Sequence, residues 1–87
     1  MKNLITIIEE TTEAQLSGNA ATMLGLLGYC VEQYQDEHGL IPQSAYLMKY
    51  VKTCINNDIK VKGKTDIVGR KQLIKYVKCW ARKVGFK

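Results

Sequence analysis

Apolar residues recur at helical spacing along four segments of the chain. In residues 3–16 they share one face while glutamates occupy the other, although the run LITII would also suit a short strand. Residues 20–37 have one broad apolar face, and the first half of this segment is apolar nearly all round, as expected of a central helix. Asn19 before this segment and Gly39 after it are typical of helix caps, so both ends of the second helix are predicted.

The third and fourth segments are more clearly amphipathic. The third begins near Pro42, which suits a first helical turn, and is predicted to extend to about residue 56. The fourth covers residues 67–84 and is followed by Gly85, a typical stop signal. Its apolar face is predicted to be buried against the second helix, and its members recur at i, i+4, i+7 and i+11: Leu73, Val77, Trp80 and Val84.

Residues 58–67, between these two segments, alternate apolar and basic side chains around Gly63. This pattern fits either a solvated loop or a short β-hairpin with its tip at the glycine. The sequence as a whole predicts an all-α fold: a single small domain, residues 1–87, of about four mostly antiparallel helices, with or without the hairpin.

Two glycines, Gly25 and Gly28, lie inside the second helix. Each costs about 1 kcal/mol relative to alanine at a helix interior. Their presence therefore predicts that a neighbouring helix approaches closely at these positions.

Charge is divided unevenly along the 87 residues, whose net charge is +5. Through residue 43 one lysine faces six carboxylates, a balance of −5, whereas from residue 44 onward twelve Lys and Arg face two aspartates, a balance of +10. Such asymmetry is typical of proteins that bind nucleic acid or another acidic surface. The alternative is that the acidic half neutralises the basic half within the fold.

Four cations of the fourth segment follow the spacing i, i+4, i+7 and i+11 and fall within roughly 60° of arc, opposite the apolar face. Like charges at this spacing repel one another, and no acidic residue is interspersed from residue 67 onward. The pattern favours a binding face over a merely solvated one, although cations in a last turn also suit the helix dipole. The cations predicted to contact an anionic partner, with the row of four included, are Lys49, Lys52, Lys60, Lys62, Lys64, Arg70, Lys71, Lys75, Lys78 and Arg82.

The third and fourth segments share the pattern Leu-x-Lys-Tyr-Val-Lys, at residues 47–52 and again 26 positions later at residues 73–78. In both copies the leucine and valine are predicted to face the core and the lysines to face solvent. The tyrosine is expected at the margin, with its hydroxyl toward water. Amphipathic constraint alone explains so short a repeat, so no duplicated domain is inferred.

Residue types that carry catalytic or metal chemistry are sparse. Cys30, Cys54 and Cys79 are far apart and His38 is the single histidine, so no zinc-ligand spacing arises and no metal or cofactor is predicted. Free thiols in a reducing cytoplasm are expected, the alternatives being a cross-chain disulfide or a reactive thiol. The absence of a nucleophile–base pairing and of a glycine-rich phosphate loop disfavours an enzyme.

These features predict a small cytoplasmic, non-enzymatic binding protein whose basic half engages DNA or RNA mainly through phosphates. The alternative is a protein-interaction regulator, an inhibitor or adaptor such as phages and plasmids encode, that docks on an acidic protein surface. Only Phe86 among the aromatic residues is expected outside the core or its margin, which leaves few rings to stack on bases. Self-association is a further expectation for so small a domain.

Two other hypotheses concern particular segments. The apolar face of the fourth helix would support peripheral attachment to an anionic membrane if it were exposed, whereas no segment is long and apolar enough to predict a membrane span. Residues 37–52 would suit a helix-turn-helix, with polar residues opening the second helix and the hairpin as a wing on the phosphates. An ordinary connection between two helices is the better-supported interpretation of this segment.

Overall fold

The computed structural model describes residues 2–41, 44–63 and 66–86, apart from the side chains of residues 44 and 62. In these parts of the chain, four helices and two strands of three residues form one small domain. In chain order they are α1 (Leu4–Thr11), β1 (Ser17–Asn19), α2 (Ala20–His38), α3 (Ser44–Lys62), β2 (Ile67–Gly69) and α4 (Arg70–Val84). The predicted all-α fold is confirmed.

Local capping explains where the helices begin and end. The Asn19 side chain accepts a hydrogen bond from the backbone N–H of Thr22 at 2.8 Å and so caps α2. The same helix ends at Gly39, where φ is 87°, and α4 ends at Gly85, where φ is 73°. Glycine adopts these positive angles without the steric cost of a Cβ atom. The three caps are therefore as predicted, whereas α1 is shorter than expected and α3 continues beyond residue 56.

The two strands pair with each other although they are 50 positions apart in the sequence. They are antiparallel, with Gly18 opposite Val68 at the centre of the ladder. One further backbone hydrogen bond, from the N–H of Arg70 to the carbonyl of Leu16 at 2.8 Å, extends the pairing to the start of α4. The ladder thus joins the α1–α2 connection to the α3–α4 connection.

The hairpin that was one alternative for residues 58–67 is wrong. Residues 58–62 belong to α3, and Ile67 pairs with Asn19 rather than with its own neighbours. Helix geometry accounts for the burial there: residues two apart point in different directions, so Ile59 packs against the core while Val61 is 80% exposed.

The helices contact one another around a ring, in the order α1, α2, α3, α4 and back to α1. Adjacent helices are antiparallel: the carbonyl of Lys2, just before α1, lies 3.0 Å from Nε2 of His38 at the end of α2. Tyr50 near the start of α3 likewise meets Lys83 near the end of α4. The main neighbours of α4 are α3 and α1 rather than α2, against which the sequence predicted its apolar face to be buried.

Every helix and one strand contribute to a single core. The buried residues of each helix follow the apolar spacing of its sequence, and β2 adds Val68, which is 1% exposed. The buried apolar side chains are Leu4, Ile7, Ile8, Met23, Leu27, Cys30, Val31, Ile41, Leu47, Val51, Ile55, Val68, Leu73, Tyr76, Val77 and Trp80.

A structural repeat relates the first half of the fold to the second. Each half is a helix, a three-residue strand and a helix that begins directly after the strand, and the second strand and helix start 50 positions after the first. The buried residues of α2 and α4 keep the same offset: Met23, Leu27 and Cys30 correspond to Leu73, Val77 and Trp80. This repeat differs from the sequence echo, which relates α3 to α4. The strand fixes the helical register in both halves.

Trp80 is fully buried, as predicted, and its ring centroid lies 5.2 Å from that of Phe86. Within the described residues the indole Nε1 is buried without a hydrogen-bond partner. We expect Trp80→Ala to lower the free energy of unfolding by about 3–5 kcal/mol through the cavity it leaves. Trp80→Phe should cost less, because it also removes the unpaired N–H. Urea denaturation measures both, and an alanine variant as stable as the wild type would contradict the buried position.

The close approach predicted at the two glycines of α2 is not found. A Cβ atom at Gly25 would meet nothing within 4 Å, and one at Gly28 would lie 3.9 Å from the Met48 methyl group, an ordinary contact. Gly25→Ala should therefore raise the free energy of unfolding by about 0.5–1 kcal/mol, since alanine favours the helix and meets no obstacle. Thermal or urea denaturation measures the change. A loss of stability would contradict the open space that the structure shows around Gly25.

Candidate functional site

The charge division of the sequence follows the architecture. The acids of α1, α2 and the segment between them are exposed, and the α1–α2 side of the ring lies opposite the cation-bearing α3–α4 side. Among the described residues Lys2 forms an ion pair with Glu10 at 2.5 Å, and Nε2 of His38 lies 3.8 Å from a carboxylate oxygen of Glu37, both within the acidic half. No ion pair between described side chains joins the two halves, so direct pairing does not neutralise the basic half.

The four cations of α4 line one shallow surface groove, which we call the α4 groove. Lys71, Lys75, Lys78 and Arg82 are all exposed, and half-buried Ile74 lies between them. At 1.5 Å per residue the row extends over about 16 Å. The predicted row of cations is therefore a continuous exposed feature, and the described residues that line it include no carboxylate.

Three more of the predicted cations are exposed on α3: Lys49, Lys52 and Lys60. They lie on the outer face of α3, away from the side where Tyr50 meets α4. At that seam the Lys83 ammonium lies 5.7 Å from the centroid of the Tyr50 ring. The basic surface thus consists of two adjoining faces. The Lys62 side chain and Lys64 lie outside the described part of the chain.

Arg70 serves a different purpose from the other predicted cations. Its Nε donates to Oγ1 of Thr12 at 3.0 Å and one terminal nitrogen donates to the Glu9 carbonyl at 2.7 Å. Thr12 is itself fully buried and donates to the carbonyl of Ile8 at 2.7 Å. Arg70 therefore ties the start of α4 to the end of α1, so we leave it out of the proposed binding surface. The sequence shows that Arg70 is a cation, but it does not show that the guanidinium is already hydrogen-bonded to the end of α1.

The two copies of Leu-x-Lys-Tyr-Val-Lys occupy equivalent environments in α3 and α4. The leucine and valine of each copy are buried and both lysines are exposed, as predicted. Tyr76 departs from the expectation, because its hydroxyl donates to the Asp58 carboxylate rather than reaching water. The Gln72 amide donates to the same carboxylate at 3.1 Å. Asp58, one of two acids in the basic half, therefore joins the end of α3 to the start of α4.

An apolar slot between α1 and α4 was not apparent from the sequence. It is lined mainly by Leu4, Ile5, Ala81 and Phe86, with Asn3 as its polar residue, and Val77 also borders it. Its outer part continues past Lys78 and Arg82, the two cations that end the α4 groove. No periodic signal indicates this slot, because its walls come from opposite ends of the chain.

The positions of two aromatic residues reverse the sequence expectation. Phe86 packs on the core, with its ring centroid 5.6 Å from that of Tyr34, and it still lines the slot. Tyr29 on α2 is instead the exposed ring, at 52%. Its hydroxyl accepts a hydrogen bond from Gln33 at 2.7 Å, on the acidic side of the molecule.

The three cysteines are free and differ in burial. Cys30 is fully buried in the core, and burial raises the pKa of its thiol. Cys54 and Cys79 are half-buried, and burial is also the main cause that raises the pKa of the Cys54 thiol. Raised values keep Cys30 and Cys54 protonated at neutral pH and so make them weak nucleophiles.

The structure contradicts one element of each of the two segment hypotheses. The hairpin suggested as a wing of the helix-turn-helix is not formed, because α3 continues through residues 58–62, and Gln43 lies outside the described residues. Membrane attachment required an exposed apolar face on α4, but Leu73, Val77 and Trp80 are buried. Across the described parts of the chain, no helix combines the length and apolar character needed to span a bilayer.

Comparison with known proteins yields no match to a family model, to a curated protein or to a solved structure.

Arg70→Ala should lower the free energy of unfolding by about 1.5–3 kcal/mol, because hydrogen bonds from a charged donor to α1 are lost. The neighbouring exposed Lys71→Ala serves as control and should change stability by no more than about 0.5 kcal/mol. Combining Arg70→Ala with Thr12→Val should cost less than the two single changes summed, because they share one interaction. Urea denaturation of the wild type, the Arg70→Ala and Thr12→Val variants and the double variant measures this coupling. Strict additivity would show that Arg70 does not act through Thr12.

Proposed function

We propose that this protein binds nucleic acid through the basic side formed by α3 and α4, mainly by contacts to phosphates. The observation that carries the proposal is the α4 groove, in which four exposed cations lie in a row of about 16 Å and no described lining residue is a carboxylate. Four like charges along one helix repel one another, which destabilises the helix. An anionic partner would reduce this repulsion.

Several features support phosphates as the anion. Lysines provide compact, flexible charges that contact phosphate oxygens without reading base edges. The α3 lysines widen the same side of the molecule, so a polyanion in the α4 groove finds further cations beside it. Binding of this kind is largely independent of nucleotide sequence and weakens steeply as salt increases.

An acidic protein surface is the second candidate. The observation that favours it is half-buried Ile74 in the α4 groove, flanked by Lys71, Lys75 and Lys78. An apolar strip bordered by cations is complementary to an acidic amphipathic helix. Such a partner would use the same lysines, so the two candidates differ in what is bound rather than where.

The first test replaces Lys71, Lys75 and Lys78 together by Gln. All three are exposed, so the variant should remain folded. Its affinity for a DNA duplex should fall. The slope of log K against log salt should also decrease, by about 0.9 for each phosphate that the protein no longer neutralises, or about 2–3 for the three lysines together. Fluorescence anisotropy over a range of salt concentrations measures both quantities.

The matched control lowers the net charge by the same amount on the acidic side. Ala14→Glu, Ala21→Glu and Gln33→Glu change exposed residues only, and the carboxylate at position 33 can still accept a bond from the Tyr29 hydroxyl. Its salt slope should stay close to that of the wild type. Equal losses in both variants would mean that bulk charge alone governs binding. Tight binding of an acidic protein, with no measurable nucleic-acid binding, would favour the second candidate.

A further inference from the structure

The apolar slot between α1 and α4 adds a different chemistry beside the cations. Its walls are Ile5 from α1, Ala81 from α4 and the ring of Phe86, which follows α4. Phe86 is held in place by two other rings, since its centroid lies 5.2 Å from that of Trp80 and 5.6 Å from that of Tyr34. The slot is therefore a preformed apolar cleft with one aromatic wall.

The slot and the α4 groove form one continuous surface. Lys78 and Arg82 line the α4 groove and also border the outer part of the slot, where Ile5, Ala81 and Phe86 are again present. A ligand that follows the row of cations toward the end of α4 consequently reaches an apolar cleft with two positive charges at its entrance.

The polar residue of the slot is Asn3. Its side-chain oxygen accepts the N–H of Thr6 at 2.8 Å as the cap of α1, which directs the amide nitrogen elsewhere. That nitrogen has two N–H donors. The slot thus has an apolar and aromatic lining, one neutral amide side chain in its wall and a cationic rim.

We infer that the slot receives one unstacked base of a single-stranded nucleic acid whose phosphates lie on Lys78 and Arg82. This inference rests on the proposed function and names its substrate class. A base has an apolar π-face for Phe86 and polar edges for Asn3, while its flanking phosphates need the cations at the rim. In a duplex the bases are stacked and paired, so a duplex contacts the cations and leaves the slot empty.

The experiment compares two single strands that carry the same phosphates. One is an oligothymidine and the other is the same length with abasic sites in place of thymidines, and both are titrated by fluorescence anisotropy at fixed salt. The wild type should bind the oligothymidine about 5- to 150-fold more tightly, the usual contribution of one base stacked on an aromatic side chain. Each strand should lose affinity when Lys78 and Arg82 are replaced together by Gln.

Two variants separate the slot from the cations. Phe86→Leu keeps an apolar contact with Trp80 but removes the aromatic face, and Ala81→Leu fills the slot without removing a core residue. Both should reduce the preference for thymidine while leaving affinity for the abasic strand unchanged. One variant removes a side-chain group from the slot and the other adds one, so a shared effect on binding is not explained by the loss of stability of either variant alone. Thermal denaturation measures the stability of each variant.

The outcomes distinguish the inference from the proposed function. Equal affinity of the wild type for both strands would overturn the inference and leave phosphate binding intact. Failure to bind either strand or a duplex would overturn the proposed function and the inference together. Binding of a glutamate-rich peptide that contains one phenylalanine, lost in Phe86→Leu and Ala81→Leu while oligonucleotides fail to bind, would assign the slot to a protein ligand.

Discussion

The pairing of β1 with β2 is the constraint on which the rest of the structure depends. It joins the two interhelical connections, and α2 and α4 each begin at the residue after a strand ends. Because the strands fix these starting points, the buried residues of both helices follow at the same offsets. Three residue pairs are too few to persist in water by themselves, so the ladder and the helices stabilise one another. The last bond of the pairing also brings Arg70 beside α1.

Much of this fold can be predicted from local pattern, and the parts that cannot are long-range. The helices follow from apolar periodicity, and their caps at Asn19, Gly39 and Gly85 follow from the conformations those residues favour. The ladder escapes prediction because three residues are too short for a strand signal and the partner is 50 positions away. The alternation of apolar and basic residues in 58–62 is typical of a strand, but the segment is helical and Ile59 packs against the core.

The candidate site likewise has parts that can be predicted from local sequence and parts that depend on long-range contacts. The row on α4 is visible in the sequence because its spacing is helical, and the structure leaves all four cations exposed. Arg70 has the same charge but a different environment, which depends on Thr12, 58 positions earlier. The slot is likewise formed by residues from the two ends of the chain, such as Ile5 and Phe86. The charge pattern thus indicates the side of the molecule that we propose binds a partner, and only the fold shows which of its cations are exposed and what lies beside them.

The separation of acids and bases onto opposite sides of the ring has a consequence for crowding on a long polyanion. A molecule that docks by α3 and α4 turns α1, α2 and the segment between them, with six exposed carboxylates, toward solvent. A strand coated with such molecules would exchange its phosphate charge for an outer layer of carboxylates. Its outer surface would remain negative, so coated strands would repel one another and stay dispersed, whereas a uniformly basic protein would bridge them into aggregates.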